Sequence, residues 1–142
     1  EWQQTDPGTT LTKVLADAAL VHSLARIDVN DPRFVSPGQM PQKIQAACID
    51  AGFDAPQTRG EIARCVLDSL ADAYGAAITE LEAITGIKVE QLNVVGGGSQ
   101  NQLLAQLTAD AAGIPVLAGP VEATALGRTT AMAPLPWWSP SK

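Results

Sequence analysis

Apolar residues recur every three or four positions along much of the chain, which predicts amphipathic helices. The longest such pattern predicts one helix from Glu61 to Thr85. Gly86 is placed to end this helix, because glycine adopts a left-handed backbone easily. Nearer the start, the same spacing predicts a helix that Thr9 or Thr10 caps and that ends near His22.

The pattern changes twice between these two helices. Residues 27–41 contain several turn-forming residues and predict an irregular connector. Pro41 suits the first position of a helix, and an apolar stripe after it predicts a short helix that Gly52 ends. The stripe consists of Ile44, Ala47, Cys48 and Ala51.

The last third of the chain changes to short apolar runs that predict strands. Residues 89–95 form the first run and lead directly into Gly96-Gly97-Gly98. Ser99 and Gln102 have the spacing of a capping box, which predicts a helix that opens at Ser99 and ends at Gly113.

A second strand is predicted over residues 114–117, and a further helix begins at residues 121–126. The order of helix, strand, glycine loop, helix, strand and helix indicates the α/β class. Pro134, Pro136 and Pro140 exclude a continuing helix near the end of the chain.

Composition narrows the class of protein. The 142 residues, 46% hydrophobic and 17% charged, fit one soluble globular domain. A net charge of −6 argues against a nucleic-acid partner, because neutralising phosphates requires clustered Lys and Arg. No apolar run approaches the roughly 20 residues that cross a bilayer, so we expect no membrane partner. Two cysteines without metal-binding spacing fit the reducing cytoplasm.

The glycine loop is the candidate functional site. Glycines at Gly96, Gly97 and Gly98 let a ligand approach the main chain closely, and the helix that follows offers free N–H groups and its positive dipole end. This arrangement favours a phosphate group. Ser99 and Asn101 add side chains that could reach a sugar or a base at the same loop.

The loop by itself has three other interpretations, and this chain lacks residues that two of them require. The glycines could serve only a tight strand-to-helix connection. A dinucleotide-binding Rossmann loop requires a third glycine where Asn101 stands and an acidic residue where Ala118-Gly119 stands. A Walker loop requires a Gly-Lys-Ser or Gly-Lys-Thr sequence after the glycines, which this chain lacks.

Several blocks of sequence carry further information through their order and spacing. They are residues 61–71, 94–101, 103–104, 106–110, 113–116 and 118–127. Together these blocks resemble the carboxy-terminal domain of the FGGY carbohydrate kinases, over about residues 1–127. Residues 31–34 and Met40-Pro41 are similar to one subgroup of that family.

The resemblance implies a partial actin-like, ribonuclease H-like ATPase lobe of the α/β class, rich in helices with a few short strands. It implies an enzyme in which ATP phosphorylates a sugar hydroxyl. It maps Gly96, Gly97 and Gly98 to backbone contacts with ATP, with Ser99 at the same loop, and Asn101 to a contact beside the adenine. Asp110 is expected to hold backbone near its helix end, and Glu122 to favour a helix start.

The parts that perform the chemistry are expected outside this chain. In the family, the catalytic Asp and the Gly-Thr phosphate loop precede the matched region, and the sugar pocket lies mostly in the other lobe. We therefore assign no catalytic residue and no metal ligand here, and we expect Mg²⁺ to be held by residues elsewhere. This chain alone is predicted not to phosphorylate a sugar.

The start of the chain is abrupt, and its end after Gly127 departs from the family pattern. Glu1-Trp2-Gln3-Gln4 resembles the end of a helix, which suggests a cut fragment. We expect residues 1–127 to be a partial nucleotide-binding domain and residues 128–142 a tail outside the family, produced by a frameshift or a cloning boundary. A missing helix would expose apolar surface and favour self-association. A non-catalytic nucleotide-binding or interaction module of the same fold is the alternative function.

Other chemically active side chains have structural explanations. Cys48 and Cys65 lie on facing stripes of two consecutive helices, where they could approach each other, but buried free thiols are the favoured interpretation. Asp68 to Asp72 and Glu80 to Glu82 are predicted on the solvated face of the long helix.

Overall fold

The computed structural model describes residues 6–95 and 101–118. Within them the chain is rich in helices and contains one small parallel sheet, as expected for an α/β fragment. In chain order the elements are α1 (Leu11–Leu20), a 3-10 turn (Pro32–Phe34), α2 (Met40–Asp50), α3 (Arg59–Thr85), β1 (Leu92–Val94), α4 (Gln102–Ala112) and β2 (Val116–Ala118).

Most helix ends lie close to where the sequence predicts them. The Thr10 hydroxyl accepts the backbone N–H of Lys13 and caps α1. Thr58 and Glu61 form a reciprocal capping box, so α3 begins at Arg59, two residues before the predicted start. Gly86 has φ of 69° and ends α3, as predicted.

The start of α2 differs from the prediction by one residue. Gln39 adopts a left-handed conformation with φ of 53°, and the helix begins at Met40. Pro41 therefore occupies the second helical position, where its missing N–H again costs no intrahelical hydrogen bond. The predicted stripe is buried at Ile44, Ala47 and Cys48.

α3 is the helix against which the other helices pack. Its N-terminal half packs against α1 and α2, and its C-terminal half packs against α4. Gly60 permits a close approach of α1, because a Cβ there would lie 3.1 Å from the Asp17 carbonyl carbon. One hydrophobic cluster lies beside the first half of α3, and a second joins α4 to the sheet. The first contains Ala25, Ile44, Cys48, Ile62 and Cys65; the second contains Ala105, Ala109 and Val116.

The prediction that Asp68 lies on a solvated helix face is wrong. Its side chain is only 5% exposed. The Arg64 Nε donates to the Asp68 Oδ2 at 3.0 Å, and Arg26 approaches the same oxygen at 3.4 Å. Arg64 also donates to the carbonyl oxygen of Val21 at 2.7 Å. The two arginines compensate the buried carboxylate and tie the segment after α1 to α3.

The two predicted strands form a parallel pair that α4 connects. Leu92 lies opposite Val116, Asn93 opposite Leu117, and Val94 opposite Ala118. Gly113, with φ of 69°, ends α4 as predicted, and the chain then enters β2. In the part of the chain that the structure describes, the sheet has two strands, β1 and β2.

Candidate functional site

The glycine loop lies between β1 and α4. Its residues Gly96, Gly97, Gly98 and Ser99 lie outside the described residues, so their proposed contacts stay predictions. The elements on both sides are described. β1 ends at Val94, and α4 begins at Gln102.

Asn101 is the predicted site residue that the structure describes, and it caps α4. Its Oδ1 accepts the backbone N–H of Leu104 at 3.0 Å. The prediction that the helix opens at Ser99 is therefore wrong. Asn101 is the cap, and α4 begins at Gln102. An asparagine competes well with serine at a cap, since both offer a short side-chain oxygen.

Capping uses the side-chain oxygen of Asn101, and its side-chain amide nitrogen can bind a ligand. Its side-chain oxygen bonds within the helix, while its Nδ2 can donate a hydrogen bond. The start of α4 carries the positive end of the helix dipole, directly after the glycine loop in the chain. An anion or a base bound at the start of α4 would therefore lie close to both features.

A groove of about 420 Å³ lies between α3, β1 and α4. Tyr74, Ala77 and Ile78 form its α3 wall, residues 92–95 form a second wall, and the first two turns of α4 complete it with side chains such as Leu104. The sequence pattern did not predict this groove. A signal was present, because the apolar pattern of α3 continues through these positions well beyond the part that α2 covers.

The two cysteines lie away from the groove, in the first hydrophobic cluster. Their Sγ atoms are 3.5 Å apart, both side chains are fully buried, and both thiols are free. Burial, followed by the hydrogen bond to Cys48, raises the pKa of Cys65 to about 12. The prediction of buried free thiols is confirmed, and the two side chains are also adjacent.

The described residues hold no group of three or more His, Cys, Asp or Glu side chains that could bind a metal ion. Asp110 was expected to hold backbone, but its Oδ1 accepts a hydrogen bond from the Gln106 Nε2 at 2.9 Å on the helix surface. His22 is exposed just after α1. Over residues 6–95 and 101–118, no helix has both the length and the apolar content needed to cross a membrane.

Comparison with known proteins identifies the family. A model of the C-terminal domain of the FGGY family of carbohydrate kinases matches residues 1–133. The chain is 53% identical over 110 residues to a rhamnulokinase of Klebsiella pneumoniae (strain 342), which covers 78% of this chain and 22% of that protein.

Rhamnulokinases from other bacteria match this chain with similar identity. A rhamnulokinase of Halalkalibacterium halodurans is 48% identical over 105 residues, covering 74% of this chain and 22% of the relative. A rhamnulokinase of Enterococcus faecalis is 52% identical over 103 residues, which cover 71% of this chain and 21% of that protein. The chain thus spans about one fifth of the length of these proteins. It belongs to the FGGY family of carbohydrate kinases, whose C-terminal domain matches nearly its whole length.

Proposed function

We propose that this chain is the nucleotide-binding C-terminal part of an ATP-dependent carbohydrate kinase, and that the sugar is L-rhamnulose. One observation carries the nucleotide assignment: a parallel strand leads into three glycines, and a helix capped by Asn101 follows directly. This is a geometry in which backbone N–H groups bind phosphate. The shared name of the relatives supports the choice of sugar.

Within this proposal, the chain positions the nucleotide and does not react with it. The backbone of Gly96, Gly97 and Gly98 contacts ATP, and Ser99 lies at the same loop. The Asn101 Nδ2 donates to a group beside the adenine. Positioning of this kind is a large part of catalysis in phosphoryl transfer, because the reacting oxygens must be held in line.

Mg²⁺ belongs to the proposal through the chemistry of kinases, since it neutralises the charge that develops between the phosphates. The described residues offer no carboxylate cluster for it. We therefore expect its ligands, the carboxylate base and most of the sugar pocket in the rest of the kinase, and we expect the 142-residue chain alone to be inactive.

The test is a chimera in which this chain replaces the matched region of the Klebsiella pneumoniae rhamnulokinase. We expect it to phosphorylate L-rhamnulose with ATP. Gly97→Asp should lower its kcat/KM for ATP by about 100-fold, because the added carboxylate occupies the phosphate position and repels the phosphate charge. Ala16→Asp is the matched control, since it adds the same charge on an exposed position of α1.

The outcomes separate the parts of the proposal. Equal affinity of the chimera and its Gly97→Asp variant for Mg-ATP, measured by calorimetry, would remove the glycine loop as the site. Activity with a different sugar would remove only L-rhamnulose. A chimera that binds ATP without turning it over would favour the alternative, a non-catalytic nucleotide-binding module.

Two further proposals concern the setting of the protein. The free thiols of Cys48 and Cys65 support the cytoplasm as its compartment, because reduced cysteines persist there.

Leu20 and Leu24 are 83% and 87% exposed and support self-association of the free chain. Sedimentation showing a monomer at high concentration would contradict self-association.

A further inference from the structure

The free thiols of Cys48 and Cys65 form a close pair in the first hydrophobic cluster. Their Sγ atoms are 3.5 Å apart, although the two cysteines lie 17 positions apart in the chain, one on α2 and one on α3. Because each helix holds its own sulfur in place, the pair is already assembled in the folded chain. Two thiols held in this way can bind one thiophilic centre together.

The spacing of the two sulfurs limits which centre fits between them. A disulfide requires an S–S distance of about 2.05 Å and an oxidant that accepts two electrons. A structural zinc ion requires four ligands, and the described residues hold no group of three or more side chains that could bind a metal ion.

Trivalent arsenic differs from both of these centres. It is pyramidal, and it keeps its oxidation state when thiols replace its hydroxyl groups. With bonds of about 2.3 Å, the length of a zinc–thiolate bond, and angles of roughly 100°, it holds two sulfurs roughly 3.5 Å apart. This separation agrees with that of the Cys48 and Cys65 sulfurs.

We propose that Cys48 and Cys65 form a binding site for one trivalent arsenic atom, supplied as arsenite, As(OH)₃. Each thiol forms an S–As bond, and its proton leaves with one hydroxide of the arsenite as water. One arsenite therefore yields one bis-thiolate arsenic centre that keeps a single hydroxyl group, and two waters are released. No electron is transferred, so the reaction needs no oxidant.

The surroundings of the pair favour an uncharged product. Both side chains are fully buried, and burial raises the pKa of Cys65 to about 12. Thiolates that bind a metal cation would place charges in this apolar cluster, which is costly. Arsenite, the two thiols and the bis-thiolate arsenic centre are all neutral.

Room for the arsenic atom comes from the edge of the cluster. Phe34, Met40 and Val66 are only partly buried and pack against the buried residues of the cluster. A methionine side chain is flexible and adapts to changed packing. Because both thiols are fully buried, arsenite enters through a local opening of the packed helices, and its uptake should be slow.

The first test is the direction in which arsenite shifts the thermal unfolding of the reduced 142-residue chain. A ligand raises the melting temperature only if it binds the folded state more tightly than the unfolded state. In the folded chain the second S–As bond joins sulfurs already in position, whereas in the unfolded chain it must close a loop of 17 positions. After equilibration with saturating arsenite, the melting temperature should rise by at least about 4 °C.

Arsenate is the ligand control for this measurement. Its arsenic is pentavalent and does not exchange oxygen for thiols unless it is first reduced. It should shift the melting temperature by less than about 1 °C.

The second test separates the spacing of the thiols from their number. Cys48→Ala leaves one thiol and should weaken arsenite binding at least about 100-fold. A swapped variant that combines Ala47→Cys with Cys48→Ala keeps two thiols on buried positions but turns one of them by about 100° around α2. It should weaken binding at least about 30-fold, because the two sulfurs no longer face each other.

Calorimetry measures the dissociation constants, and elemental analysis of the desalted protein counts the arsenic atoms per chain. Unfolding curves without arsenite show whether each variant is folded. Cys65→Ala is the second single-thiol variant and replaces Cys48→Ala if that protein does not fold.

Four results would overturn the proposal. A melting temperature that falls with arsenite would mean that the unfolded chain binds it more tightly. Equal affinities of the original chain and the swapped variant would mean that the spacing does not matter. Arsenic content that persists in the single-thiol variants would place arsenic elsewhere, and a reduced chain that takes up none would mean that the cluster does not accept it. None of these results involves the glycine loop, so they leave the proposed kinase function untouched.

Discussion

Gly75 of α3 lies directly against Ala111 of α4. A Cβ at Gly75 would come within 3.3 Å of both the carbonyl carbon and the carbonyl oxygen of Ala111. The two helices therefore meet backbone to backbone at this point, and neither backbone can move without shifting its helix. The absence of a side chain at Gly75 sets how closely the β1–α4–β2 unit packs on α3.

Gly75→Val should accordingly lower the free energy of unfolding by about 2 kcal/mol, because the new methyl groups force the helices apart. Urea denaturation of the free chain measures the loss. Ala76→Val is the control, since it adds the same branched side chain at the next, exposed position. It should cost less than about 1 kcal/mol, which reflects helix propensity alone. Equal losses in the two variants would contradict close helix contact.

Removal of the buried charge at Asp68 should destabilise the chain strongly. Asp68→Asn keeps the size of the side chain but leaves Arg64 without its compensating charge, and we expect a loss of about 3 kcal/mol. Thermal or urea unfolding measures it. Asp72→Asn is the matched control, because Asp72 also pairs with Arg26 but is 55% exposed. It should cost less than about 1 kcal/mol.

The capping box of α3 should make stability depend on pH. Hydrogen bonds from the backbone N–H groups of Thr58 and Gln57 lower the pKa of Glu61. A carboxylate whose pKa is lowered by folding stabilises the protein above its unfolded-state pKa, and this contribution disappears as pH falls through the folded-state pKa. Glu61→Ala should therefore cost about 1 kcal/mol at pH 7 and progressively less in acid.

The pH series of unfolding curves for the unmodified chain and for Glu61→Ala provides the measurement. Glu80→Ala, at an exposed position further along the same helix, should cost less than about 0.5 kcal/mol at pH 7. A difference between Glu61→Ala and the unmodified chain that grew in acid would reverse the sign argued above and would contradict the cap.

The cysteine pair should be protected from thiol reagents. Complete burial and the raised pKa of Cys65 keep little thiolate available at pH 8. We expect the reduced native chain to react at least about 100-fold more slowly than the unfolded chain, in which both thiols should react together. Mass spectrometry after timed alkylation measures both rates. One thiol that reacts rapidly in the native chain would contradict the packing of α2 on α3.

The structural and ligand roles of Asn101 can be separated. Asn101→Ser keeps an oxygen that can cap α4 but removes the amide donor. In the chimera, stability should change by less than about 0.5 kcal/mol while the dissociation constant for ATP rises about fivefold. Asn101→Ala, which loses both groups, should also cost about 1 kcal/mol of stability. Unchanged ATP affinity in both variants would leave Asn101 with the cap alone.

The sequence was most informative where local chemistry decides the structure. Thr10, Gly86 and Gly113 mark helix ends through their own hydrogen bonds or backbone conformation, so their positions could be predicted. The prediction of Ser99 as the cap was wrong, because Asn101 is the cap of α4 and a sequence pattern does not separate two residue types that both suit this position.

Features that depend on distant partners could not be predicted. Asp68 has the spacing of a solvated face, but its burial depends on Arg26, which lies 42 positions earlier in the chain. The groove likewise requires α3, β1 and α4 in their final positions. Periodicity identifies an apolar face, whereas the neighbour that covers it is set by tertiary structure.

The unbroken course of α3 has a mechanical consequence. Its 27 residues extend over roughly 40 Å. The first hydrophobic cluster includes Ile62 and Cys65 near its start, whereas Gly75 further along it lies against Ala111 of α4. The helix is thus one continuous element, and Gly75 lies near its middle. A bend of roughly 10° there would displace Thr85 by roughly 3 Å. A change of bend at Gly75 would therefore move the end of α3 relative to the ion pairs in its first half.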